Sequence, residues 1–130
     1  MRELDEQKLL NKMQINPSET PPSGGGGLRV AFKMQLHRGQ ADEYKRRHDE
    51  LWVELKDLLK TTGVQDYSIF LDEETYALFG VLTIENPALL DDLPKHPVMQ
   101  RWWAYMGDIM DTNPDNSPVS VPLKEVFYLA

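Results

Sequence analysis

The chain has 130 residues, room for one domain with a single core and too few for two. Its 14 Lys and Arg stand against 21 Asp and Glu, a net charge of −7 that repels phosphate backbones and anionic lipid, so neither nucleic acid nor membrane is an expected partner. With no cysteine, disulfides, thiolate nucleophiles, zinc-cysteine sites and iron–sulfur clusters are excluded by inventory, which fits a reducing cytoplasm.

The opening stretch MRELDEQKLLNKMQ has its longest apolar run at Leu9-Leu10, far short of a secretion signal. No later window approaches the ~18 uncharged apolar residues of a membrane span. From Asn16 to Gly27 the sequence reads NPSETPPSGGGG, which cannot bury apolar surface or hold one backbone conformation. Residues 1–27 are therefore read as a flexible extension and linker, and residues 28–130 as the folded domain.

Leu28 to Leu36 alternates, with Leu28, Val30, Phe32, Met34 and Leu36 on one side, the period of a half-buried strand. Gly39 to Thr62 changes to helical spacing through Tyr44, His48, Leu51, Leu55 and Leu58, and Gly63 stands where a C-terminal cap belongs, so one long helix is expected. Val64–Leu71 and Thr75–Ile84 are β-rich runs joined by Asp72-Glu73-Glu74, a hairpin whose second strand is apolar on both faces and hence interior. The proline-punctuated ENPALLDDLPKHPV leads to a helix over about Val98 to Met110. Asn113-Pro114-Asp115-Asn116-Ser117-Pro118 then breaks regular structure, and Pro122 to Leu129 reads as a last strand.

The order strand, helix, strand, strand, helix, strand predicts an α+β fold of the ferredoxin-like βαββαβ type, an antiparallel sheet with both helices on one face. Phe70, Phe79, Val81 and Phe127 are candidates for the other face, and an apolar face of that size needs a partner. Two copies pressed sheet to sheet would supply it, so a homodimer is expected.

No phosphate-cradling loop precedes a helix, since Gly24 to Gly27 precede a strand, and no serine sits in a nucleophile elbow. His37, His48 and His96 lack helical i, i+4 spacing and cysteine companions, so no metal site is expected. General acid–base chemistry remains. His48 lies on the inward stripe of the first helix, where it is either a core histidine bonded to a backbone carbonyl or a proton donor with an ordinary pKa near neutrality. Tyr44 shares its helical face, and Tyr67 points to the same layer if Tyr67, Ile69 and Leu71 alternate toward the helices; ordinary packing would account for both equally well. Trp102 and Trp103 are neighbours about 100° apart on a helix, so one is expected to pack and the other to line a cavity. An aromatic pocket with a few hydroxyl and imidazole groups suits a sugar, and the absence of a basic cluster disfavours a phosphorylated one. The acidic pairs Glu73-Glu74 and Asp91-Asp92 fall in connections and read as solvated charge rather than as a glycosidase pair.

Four blocks in order, EYKRRHDELWVEL, QDYSIFLD, QRWWAYMGDIM, and NPDNSPVS with EVFYLA, resemble the L-rhamnose mutarotase family over essentially Leu28 to Ala130. The resemblance implies a dimeric α+β barrel that interconverts the α and β pyranose forms of L-rhamnose without a cofactor. It further implies that His48 is the proton donor and that Tyr44, Tyr67, Trp102 and Trp103 bind the sugar. The sequence departs from the family around Asp49 and Val53, where a proline is often found. Two rivals stay open: a cofactor-free monooxygenase on the same architecture, and a binding module that holds a small ligand without altering it.

Overall fold

The computed structural model describes residues 27–130, so the expected flexible extension lies, apart from Gly27, outside the described residues. Alternation decides the first element. In β1 (Leu28–Gln35) the side chains of Val30 and Met34 are buried. Leu36 continues the same buried face beyond the strand's end. Helix α1 (Ala41–Asp49) and helix α2 (Val53–Thr62) follow, then β2 (Gln65–Leu71), β3 (Ala77–Ile84), a 3₁₀ helix over Pro87–Lys95, α3 (Pro97–Met106) and the short β4 (Val121–Leu123).

The four strands form one antiparallel sheet in the order β2-β3-β1-β4, with β3 interior as its two apolar faces require. Phe32 stands directly opposite Gly80 in the β1–β3 register. The close approach needs glycine, because a Cβ there would lie 2.6 Å from the Phe32 ring. One sheet face packs under the helices, where Met34, Leu36 and Leu78 meet Leu55, Trp102, Trp103 and Met106. A second cluster of Val30, Val64, Leu82, Ile84 and Leu90 closes the far end beneath the 3₁₀ helix. On the opposite face Phe70 pairs with Phe79, and Phe70 is 61% exposed.

Three expectations are corrected. The single helix over Gly39–Thr62 is two helices: Glu50 ends α1 by donating to the Arg46 carbonyl, and Trp52 adopts an extended conformation before α2 begins. The inward residues keep helical spacing across the break, which is why periodicity alone conceals it. Gly63 does cap α2, in the left-handed conformation at φ 102°.

The helix predicted to Met110 stops at Met106. Ile109 and Met110 are nonetheless buried, because the chain there runs beside the end of β1, with the His37 N–H donating to the Ile109 carbonyl and Asp111 to Gln35. The last strand pairs only over Val121–Leu123, against Ala31–Lys33. Beyond it Phe127 is 76% exposed and Val126 and Leu129 more so, since no neighbouring strand in the described residues offers them a ladder. No helix among the described residues is long and apolar enough to cross a membrane.

Candidate functional site

Asp42 and Glu43 occupy the first turn of α1 and Arg46, Arg47 and His48 its last, the order the helix dipole favours. Tyr44 and His48 lie one turn apart, and their rings stack with centroids 4.3 Å apart. The His48 Nδ1–H donates to the Tyr44 carbonyl at 3.0 Å. A carbonyl only accepts, so this contact places the hydrogen on Nδ1 and leaves the Nε2 lone pair for other partners. Burial pushes the imidazole pKa below its ordinary value, and the carbonyl contact opposes that only in part. The resting ring is therefore neutral at neutral pH.

Helix α3 brings two indoles to the same place. Trp102 meets the His48 ring edge to face at 5.3 Å, and Trp52, from the break between α1 and α2, meets Trp102 the same way at 5.1 Å. Both Trp102 and Trp103 are buried, and both also line the cleft, which corrects the expected division of one packing and one lining indole. Trp52 and Tyr105 flank Trp102 and widen the apolar stripe of α3 on that side.

Tyr67 arrives by a different device. The β2–β3 register slips between Gln65 and Ser68, and Asp66 within the slip has φ 50°. The slip ends before Ser68, and the alternation Tyr67, Ile69, Leu71 holds beyond it, so Tyr67 lies on the helix side with its ring 6.2 Å from that of Phe32. Tyr67 as a whole is 39% exposed. Burial around its hydroxyl nevertheless pushes that group up to about 12. Burial raises Tyr44 further, and the nearby Tyr67 adds to it. Both phenols are therefore neutral hydrogen-bond donors at physiological pH.

These residues open on one cleft of about 1270 Å³ between the helices and the sheet, lined by Tyr44, His48, Tyr67, Trp102 and Trp103. Its volume exceeds the ~300–1,000 Å³ of most small-molecule sites.

The L-rhamnose mutarotase family model matches residues 29–129. The chain belongs to the L-rhamnose mutarotase family. It is 61% identical over 103 residues to the L-rhamnose mutarotase of Brucella anthropi, covering 79% of this chain and 97% of that protein. To the L-rhamnose mutarotase of Sinorhizobium fredii it is 59% identical over 102 residues, 78% of this chain and 98% of that one. The crystal structure of the Formosa agariphila L-rhamnose mutarotase superposes with a TM-score of 0.74 at 54% identity, over 78% of this chain and 98% of that chain.

Within the family's match, all five residues singled out from the sequence line the cleft; of the other polar candidates Glu73 also reaches its lining, whereas His37, His96, Glu74, Asp91 and Asp92 do not. His37 faces Asp111 at 3.1 Å on the surface, and His96 precedes α3. Asp92 sits 3.8 Å from Lys95, and Glu74 belongs to the turn capped by Asp72. Among the described residues, no group of three or more His, Cys, Asp or Glu is placed to hold a metal. Sequence reasoning missed Trp52, Tyr105 and the buried Arg47. For Arg47 the available signal was Glu43 four residues earlier, an ion-pair spacing that does not reveal burial.

Proposed function

We propose that the chain interconverts the α and β anomers of L-rhamnopyranose by acid–base opening and closure of the ring, with His48 as proton donor and Tyr44, Tyr67, Trp102 and Trp103 as sugar-binding residues. The observation that carries this reading is the tethered imidazole: Nδ1 is committed to the Tyr44 carbonyl, the ring is held between Tyr44 and Trp102, and Nε2 is left to exchange protons.

Ring opening breaks the bond from C1 to the ring oxygen, removes the proton of the anomeric hydroxyl and adds one to the ring oxygen. Both oxygens are attached to C1, so one nitrogen can serve both. The neutral Nε2 takes the proton from the anomeric hydroxyl and donates it to the ring oxygen, leaving an open-chain aldehyde and a neutral imidazole. After rotation about C1–C2 the same steps run backward on the other face. A depressed imidazole pKa suits this cycle, because the protonated ring readily gives its proton up. The neutral phenols hydrogen-bond the sugar without removing its protons, and the indoles stack against its C–H faces.

Around this site we read a ferredoxin-like domain over residues 28–130, supported by the strand order β2-β3-β1-β4 with the helices over one face. Phe70 and Phe79 on the uncovered face, with the exposed Phe127, support a homodimer in which two sheets close a dimeric α+β barrel. The absence of cysteine supports a cytoplasmic location, and the steps above need no cofactor.

Exchange NMR on an equilibrated L-rhamnose solution tests the activity, by following magnetisation passed between the α and β anomeric protons. Exchange that rises with protein supports the reading. Sugar line broadening without added exchange would make the protein a binding module, and oxygen consumption would point to a monooxygenase.

A further inference from the structure

Arg47 has no part in the proton transfers, yet only 9% of it is exposed. Its Nε donates to Glu43 at 2.7 Å, one turn back on α1. Its Nη1 donates to the Tyr105 carbonyl at 2.7 Å and to Asp108 at 2.9 Å, and Nη2 reaches the second Asp108 oxygen at 3.3 Å. The guanidinium also lies 4.4 Å over the Tyr105 ring. Stability alone explains such an arrangement weakly, because an apolar side chain of similar volume commonly serves a buried position as well as an ion pair does.

Position explains it better. His48 follows Arg47 directly and sits in the last turn of a nine-residue helix that ends at Asp49, where fraying is easiest. The clamp ties that turn to the end of α3. Its reach continues through the Tyr105 ring, which packs 5.6 Å from Trp102, which in turn meets His48 edge-on at 5.3 Å.

We propose that Arg47 is a positioning residue that holds the His48 imidazole against Trp102 by clamping the end of α1 to the end of α3. The inference rests on the mutarotase reading of the site. Lysine cannot reproduce the fork, because it carries one nitrogen in place of three arranged in a plane.

Arg47→Lys and Arg47→Met would be compared with the parent by circular dichroism, by L-rhamnose anomer exchange at saturating and limiting sugar, and by the NMR cross-peak between His48 and Trp102 ring protons without sugar. The expected result is exchange at saturating sugar lowered about 10- to 100-fold per folded molecule, affinity changed less than about threefold, and a weakened cross-peak, since small misplacements cost rate first. A folded Arg47→Lys that exchanges at the parental rate with an unchanged cross-peak would overturn the proposal. If neither variant folds, Asp108→Ala removes one arm of the clamp from a side chain that is 66% exposed. It should lower exchange by about two- to tenfold and weaken the same cross-peak; no change in either would overturn the proposal. A parent without exchange would defeat the mutarotase reading, while the cross-peak would still decide the clamp.

Discussion

Replacing His48 with alanine separates chemistry from packing, because the two losses differ in size. If the imidazole transfers protons, its removal should cost the general acid–base contribution of about 10²–10⁴ in rate, equivalent to roughly 2.7–5.4 kcal/mol of barrier. The folded state loses the stack on Tyr44 at 4.3 Å and the edge contact with Trp102 at 5.3 Å. Each is worth about 0.5–1.5 kcal/mol beyond the area it buries, and alanine returns a few tenths through its higher helix propensity. The Tyr44 carbonyl keeps the backbone bond of the helix. A loss of about 1–3 kcal/mol in these contacts, with about 1 kcal/mol more for the area that the half-buried ring covered, leaves a domain of ordinary stability, ~5–15 kcal/mol, predominantly folded. The assay is anomer exchange at 25 °C per mole of folded protein, with spontaneous mutarotation subtracted. A folded His48→Ala retaining more than about a tenth of parental exchange would refute the assignment, because packing loss alone predicts little change in rate.

Four further outcomes follow from the geometry. Tyr67→Phe removes one hydroxyl and no packing, so sugar binding should weaken about three- to tenfold, the worth of one hydrogen bond, with thermal stability unchanged; titration of the sugar by NMR measures it. Gly80→Ala puts a Cβ 2.6 Å from the Phe32 ring and should cost about 1–3 kcal/mol, lowering Tm by roughly 4 °C or more in a thermal melt. His48 is held neutral when folded and protonates near pH 6.5 when unfolded, so its contribution to stability is intact above that pH and falls as pH drops below 6.5 toward the depressed folded pKa. The Tm difference between parent and His48→Ala should therefore shift against the parent between pH 7 and pH 5, and a constant difference would contradict it. Phe70→Glu charges the uncovered sheet face and should convert a dimer to monomer in sedimentation, with the fold kept because Phe70 is 61% exposed in one chain.

β1 was legible because alternation is a direct record of which side of a sheet meets the core, the hairpin because two β-rich runs flank a short polar turn, and Gly63 announced the end of α2 because few other residues adopt φ 102°. The five cleft residues were legible for the same local reason, as helical spacing and strand alternation aim them at one layer. Arg47 was not, since its partners at Tyr105 and Asp108 stand 58 and 61 positions away and only the folded chain brings them together. The break after Asp49 hid behind unbroken periodicity, although it falls where the resembled family often carries proline. The C-terminal segment misled in an instructive way. Val126, Phe127 and Leu129 have strand composition, but composition becomes a strand only where a ladder partner exists, and one chain supplies none beyond Leu123. If the proposed partner sheet that covers Phe70 also pairs with this segment, the excess of strand in the sequence reading and the uncovered sheet face would have a single physical cause.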